Sequence, residues 1–200
     1  MSVKRWLIIA SGESAAKTLA GQNLADLSVS VMTINSSWRL YPLAHVHYSN
    51  DGDWFEHEMK STGILNEAKG LFFCGDPLRK VSRTIRHYLF HKNSRGLDMR
   101  PGCLAWGGNS GYAGINLAAQ LGAEKIVLVG YDMKGASHWH GEHDPAVKKP
   151  FNFPMWIPRF KELADAAKGR GIEVLNASPD SALTCFTKAD IKGALEWLAD

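Results

Sequence analysis

Apolar residues fall in short runs that stop at small polar residues. Trp6 to Ala10 (WLIIA) runs into Ser11-Gly12-Glu13-Ser14, and Val29 to Asn35 (VSVMTIN) into Ser36-Ser37-Trp38. Val46 to Ser49 ends in Asn50-Asp51-Gly52-Asp53, and Gly70 to Cys74 (GLFFC) in Gly75-Asp76-Pro77. Short apolar runs bounded in this way predict strands covered on both faces, as in a parallel sheet. Ala113 to Leu121 is apolar almost all round and predicts a buried helix, with Asn109 or Ser110 placed to cap it and Gly122 to end it. Lys125 to Val129 (KIVLV) predicts a central strand, and Trp156 to Lys168 an amphipathic helix that Gly169 or Gly171 ends. Glu173 to Asn176 follows as a last short strand and Ala189 to Leu198 as a closing helix. Strands alternate with helices, without repeat or linker. The expectation is therefore an α/β fold: a single Rossmann-like domain over residues 1–200, with a mostly parallel twisted sheet and helices on both faces.

Ligands of such sheets sit outside the carboxyl ends of the strands. The repeated polar stops thus predict that Gly12, Asn35, Asn50 and Ser110 converge on one crevice. Gly107, Gly108 and Gly111 remove side chains just where a backbone must bend or a ligand come close. The Ser11–Ser14 turn, between a strand and a helix, suits a phosphate. It holds one glycine, so it matches neither the dinucleotide fingerprint nor the P-loop, and a plain tight turn explains it equally well.

Composition narrows the classes. Two hundred residues, 45% of them hydrophobic, suffice for one domain with a sizeable core. No apolar stretch has the length of a membrane span, and the apolar run near the start is too short for a secretory signal. Cys74, Cys103 and Cys185 form no Cys-x-x-Cys pair, which points to a reducing compartment and away from a thiolate zinc site. A cytoplasmic protein without a membrane partner is expected. The net charge of +3 says little by itself. Residues 77–97, however, hold no acid and carry Arg79, Lys80, Arg83, Arg86, Lys92 and Arg95. A solvated basic face is the default for such a segment; contact with a phosphate-bearing ligand or nucleic acid is the sharper alternative.

A polar, proline-rich loop spans residues 134–158. It contains His138, His140, Glu142, His143 and Asp144, then Pro145, Pro150, Pro154 and Pro158, and its stretch from Pro145 to Pro158 is a candidate lid. Its histidines suit a divalent metal, general acid/base catalysis, or simple loop packing. The spacing is not that of a helical zinc site, and acid/base work stands slightly ahead on spacing alone.

Several of these stretches together resemble a known family. Asn109-Ser110-Gly111, the Ala-rich helix and IVLVGYDM are similar to the core of the bacterial sialyltransferases of glycosyltransferase family 42, where an S-G turn opens a helix and a strand ends in G-x-D-F. IIASGES resembles that family's first strand and turn, Thr33-Ile34-Asn35 its R-C-N, Val46-His47-Tyr48-Ser49-Asn50 its V-F-Y-N, and Ser137 to His143 its short histidine segment. Asn176 to Leu183 is similar to its C-P-N-S-L-L end. The chain also resembles uncharacterised phage and prophage proteins, and a wider group that includes an archaeal pterin pyrophosphokinase. The resemblance implies a nucleotide-sugar-dependent glycosyltransferase with a cytidine monophosphate sugar as donor, no tightly bound cofactor, no metal, and a hydroxyl acceptor, for which nucleic acid is one candidate. It implies His143 as the general base, or His138 or His140 in a shifted register. It places the nucleotide on Gly12, Ser14, Asn35, Asn50, Ser110 and Gly111. Asp51, Asp132 and Lys134 join them as neighbours at strand ends, and Lys134 stands where the family's phosphate-binding tyrosines lie. Two alternatives remain open. One is a magnesium-dependent pyrophosphate-transferring enzyme using Asp51, Asp53 or Asp132; the other is a non-catalytic nucleotide-binding protein.

Overall fold

The computed structural model describes residues 4–76, 87–88, 90–93, 95–142 and 144–200. Its centre is strand β1 (Arg5–Ile9), flanked in parallel by β2 (Ser30–Ile34) and β8 (Lys125–Val129). Leu7, Ile8 and Ile9 have no exposed surface, as a strand with neighbours on both edges and helices on both faces requires. Beyond β2 lie β3 (Val46–Ser49), β4 (Leu71–Cys74) and β5 (His87–Tyr88); beyond β8 lie β9 (Glu173–Asn176) and β10 (Thr187–Lys188). The strand order is β10-β9-β8-β1-β2-β3-β4-β5, and every strand pairing in this sheet is parallel. A separate parallel pair joins β6 (Phe90–Asn93) to β7 (Cys103–Ala105).

The chain first steps outward from β1 to β5 and then returns to lay β8 on the other edge of β1. That reversal sets a switch point between the carboxyl ends of β1 and β8, the place where an open α/β sheet leaves a crevice. Strand alternation sorts the core into two layers. Trp6, Ile8, Met32 and Leu128 pack with helices α4 (Ser110–Gln120) and α5 (Phe153–Lys168) on one face. Leu7, Ile9, Val31 and Val129 pack with α1 (Ala15–Leu19) and α6 (Ile191–Ala199) on the other. A third cluster, around Trp54, Phe55 and Phe72, seats α2 (Gly52–Ser61) and α3 (Ile64–Glu67).

Helix α4 is fixed from within. Asn116 is fully buried; its side-chain oxygen accepts from the backbone N–H of Asp98 (2.8 Å) and Ala105 (2.7 Å), and its amide donates to the Asp98 carbonyl (2.8 Å). A buried amide satisfied on both sides ties β7 and the segment before it to the helix that opens the crevice. The helix expected from Trp156 begins at Phe153 instead, because Asn152 caps it through the Met155 N–H (3.3 Å) and Pro154 falls in the first turn. A proline there loses no helical bond. Half of the expected lid prolines are thus helical: Pro154 and Pro158 belong to α5. Among the described residues no helix is long and apolar enough to cross a membrane.

Candidate functional site at the strand-end crevice

The turn after β1 and the loop after β8 are bonded into one unit. Gly12 N–H donates to the Gly130 carbonyl (2.9 Å), while Asp132 accepts the Ser14 N–H (2.8 Å) and the Ser14 hydroxyl (2.5 Å). Such approach leaves no room for side chains. A Cβ on Gly12 would lie 2.5 Å from the Gly130 oxygen, and one on Gly130, whose φ is +73°, 2.3 Å from the Ala10 oxygen. Ser11 secures the next strand end, its hydroxyl donating to the Ile34 carbonyl at 3.1 Å.

The same turn clasps the histidine loop. The Ser11 carbonyl accepts from His138 Nδ1 (3.1 Å) and from the Trp139 N–H (3.3 Å). Glu13 accepts the Ser137 hydroxyl (2.8 Å) and the N–H groups of Ser137 (3.0 Å) and Ala136 (3.3 Å). The bonds from Ser137, side chain first, hold the Glu13 carboxyl below its usual range. His138 and Gly141 close a tight backbone bridge, and the His138 and His140 rings stack at 5.2 Å. Burial holds the His138 pKa below its ordinary value, against the opposing pull of the Ser11 carbonyl and Glu13. Only a protonated Nδ1 can donate to a carbonyl, so the neutral ring carries its proton there and keeps the basic lone pair on Nε2.

The crevice at the switch point is lined by Ser11, Gly12, Asn35, Asn109, Ser110, Gly111, Gly130, Asp132, Lys134 and His138, with Phe151, Phe153 and Trp156 along one wall. Asn109 caps α4, its oxygen accepting from the Tyr112 N–H at 3.2 Å. The first-turn amides of Ser110 and Gly111 have no intrahelical acceptor, and no acid stands in that turn, so this end of α4 offers N–H donors to an anion. Tyr131 fixes the turn from beneath by donating to the Gly111 carbonyl (3.0 Å). Asn35 sits in the left-handed region at φ +50°, its side-chain oxygen buried without a hydrogen-bond partner. Trp156 Nε1 is buried and unpartnered as well. An unmet polar atom of this kind costs about 1–3 kcal/mol.

The residues expected from the sequence distribute unevenly. Gly12, Asn35, Ser110, Gly111, Asp132, Lys134 and His138 line the crevice. Asn50 stands behind the lining, its N–H donating to Ser110 Oγ at 3.1 Å and its side chain accepting from Tyr48. Ser14 faces a second groove that holds Lys17, Gln22, Asp180 and Asp190 and shares Asp132 and Lys134 with the crevice. His140 lies one ring behind His138. Asp51 lies off the crevice, ion-paired with Lys149. His143 lies outside the described residues, as do Arg79, Lys80, Arg83 and Arg86 of the basic segment; Arg95 pairs with Glu162 at 3.6 Å. Among the described residues no group of three or more His, Cys, Asp or Glu side chains is arranged to hold a metal. The aromatic wall had not been expected. Its signal was Asn152 two residues before Pro154, a capped helix start that brings Phe153 and Trp156 onto a rigid element.

No family model matches the sequence, and comparison with curated proteins yields no match. Solved structures do match. The sialyltransferase CstII from Campylobacter jejuni, in complex with the substrate analogue CMP-3FNeuAc, aligns with TM-score 0.56 at 14% identity, over 92% of this chain and 85% of that one. The same enzyme with cytidine-5'-monophosphate aligns with TM-score 0.57 at 16% identity, over 94% and 86%. The MAf glycosyltransferase from Magnetospirillum magneticum AMB-1 aligns with TM-score 0.60 at 12% identity, over 96% of this chain but only 35% of that one. The fold is therefore one that glycosyltransferases use.

Proposed function

We propose that the protein is a nucleotide-sugar-dependent glycosyltransferase whose donor occupies the crevice between β1 and β8. The observation that carries this is the meeting, in one lining, of the α4 N-terminus, Lys134 and a histidine of fixed tautomer. Glycosyl transfer needs those parts: donors and a cation for the departing phosphate, and a base for the acceptor hydroxyl. In the reaction the acceptor oxygen bonds to the anomeric carbon and the carbon–oxygen bond to phosphate breaks. The acceptor proton passes to histidine and the nucleoside monophosphate leaves. Ser110, Gly111 and Lys134 take the phosphate. His138 Nε2 or His143 takes the proton. A cytidine monophosphate sugar is the first donor to try, since the similar enzyme from Campylobacter jejuni was solved with CMP and a CMP-sugar analogue.

The test is release of CMP from CMP-sialic acid, followed by chromatography with and without a chelator, beside thermal melting with CMP. The expected result is stabilisation by CMP and chelator-insensitive release. A nucleotide at a hundredfold excess over its dissociation constant should stabilise by about 2.7 kcal/mol. No stabilisation by CMP or other nucleotides, and no release, would sink the proposal.

A further inference from the structure

We propose that Phe151, Phe153 and Trp156 form the platform that holds the ligand's nucleobase; this rests on the nucleotide-sugar reading of the same crevice. The three rings make one surface. Phe151 and Phe153 are stacked, with centroids 5.1 Å apart and planes at 12°, and Trp156 meets them edge-on at 6.5 and 5.6 Å. His138 abuts Phe151 at 5.1 Å, so the surface reaches the candidate base. All three rings line the crevice and are only half-buried, although the core directly behind them is fully packed.

The platform stands on a firm support. Asn152 caps α5, and Phe160 and Leu163 of that helix are fully buried, Phe160 edge-on to Tyr112 at 5.3 Å. Rings held in place before binding lose little entropy when a flat ligand stacks on them. The unmet polar atoms supply the chemistry. The lining residues Asn35 and Trp156 carry one buried acceptor and one buried donor without partners. A nucleobase presents an aromatic face together with hydrogen-bond donors and acceptors on its edge, whereas a sugar presents no π face. Ser110, Gly111 and Lys134, in the same lining, suit the phosphate of the same molecule.

The experiment is titration calorimetry of the full chain with CMP, and with ribose 5-phosphate, which lacks the base, by competition. The variants are Trp156→Ala, Trp156→Phe, Phe153→Ala and Phe151→Ala, each checked for folding by thermal melting. Phe151 precedes the helix, so its variant tests the platform even if a change within α5 impairs folding. The alanine variants are expected to weaken CMP by about tenfold or more and ribose 5-phosphate by less than about twofold, with Trp156→Phe in between. CMP binding equal in wild type and every folded variant overturns the platform and leaves the nucleotide reading standing. Equal weakening of both ligands also overturns it, in favour of a wall that faces the sugar. A wild type that binds no nucleotide overturns the functional reading and the platform with it.

Discussion

Asp132 accepts two hydrogen bonds from Ser14, one from the backbone at 2.8 Å and one from the hydroxyl at 2.5 Å, across a sequence separation of 118 residues. This carboxylate, together with the Gly12–Gly130 backbone bond, ties the ends of β1 and β8 to each other. Asp132 is only 5% exposed, and deleting it removes the acceptor of the part-buried Ser14 N–H. Asp132→Ala should cost about 2–3 kcal/mol and Asp132→Asn less, since an amide still accepts one of the two bonds. Urea unfolding of the three proteins measures this. Losses below about 0.5 kcal/mol for both variants would mean that the bridge contributes nothing.

Gly12 and Gly130 make the same junction from the backbone side. A methyl group on Gly130 meets the Ala10 oxygen at 2.3 Å and also forces a positive φ on a residue with a side chain. Gly130→Ala should therefore destabilise by about 2–4 kcal/mol, combining overpacking with left-handed strain. Gly12 has no unusual φ to satisfy; its added methyl presses on the Gly130 oxygen and on the Asp132 carboxylate, 2.7 Å away. Gly12→Ala is expected to weaken nucleotide binding more than its smaller effect on the melting temperature would predict. Unchanged affinity in a folded Gly12→Ala protein would place the ligand elsewhere.

What could be read from the sequence, and what could not, follows from the range of the forces involved. The strands β1 to β4, β8 and β9 were legible because each short apolar run ends in polar residues a few positions on, and the crevice followed from those ends. Helix α2 was not legible. Glu58 inside it is 4% exposed and makes sense only with partners far upstream, Trp38 Nε1 at 3.0 Å and Arg39 at 2.9 Å. The strands β5 and β10, two residues each, exist through their neighbours and carry no pattern of their own. In the site, Ser14 bonds to Asp132 and Asn50 to Ser110 from outside the crevice lining, a placement the sequence does not display, since a strand-end residue can face a cavity or support the residue that does. The proline count hid the aromatic wall, because a proline in a first helical turn looks, in sequence, like a loop.

His47 is 2% exposed, bonded through Nδ1 to Thr33 Oγ1 at 2.6 Å and stacked on Phe72 at 5.2 Å. Burial lowers its pKa to about 4. The unfolded chain, with a pKa near 6.5, binds this proton first, so the contribution to stability is complete above about pH 6.5 and is lost as pH falls toward 4. Between pH 7 and 5 the loss should be on the order of 2 kcal/mol, from about 1.5 pH units at 1.36 kcal/mol each. Urea midpoints of wild type and His47→Asn at both pH values test this. Parallel pH dependence in the two proteins would remove His47 as the cause.

The last prediction concerns the proton acceptor. Among the described residues His138 is the histidine that lines the crevice, with Nδ1 on the Ser11 carbonyl at 3.1 Å and its pKa lowered by burial. A lowered pKa keeps the ring neutral, and so able to accept a proton, further into the acid range than an ordinary histidine. If His138 is the base, kcat/KM for CMP release should fall on the acid side with an apparent pKa below 6.5. His138→Ala should lower kcat by about 10² to 10⁴-fold while leaving CMP affinity nearly intact. His140→Ala should act mildly, through loss of the stacked partner at 5.2 Å. His143→Ala decides between the two candidates. Full activity in His138→Ala together with collapse in His143→Ala moves the base to His143, and His138 becomes the residue that pins the loop to the end of β1. Collapse in His138→Ala alone assigns the base to His138. The measurement is single-turnover CMP release from about pH 5 to 8 for wild type and the three variants, with CMP affinity measured separately so that binding and chemistry are read apart.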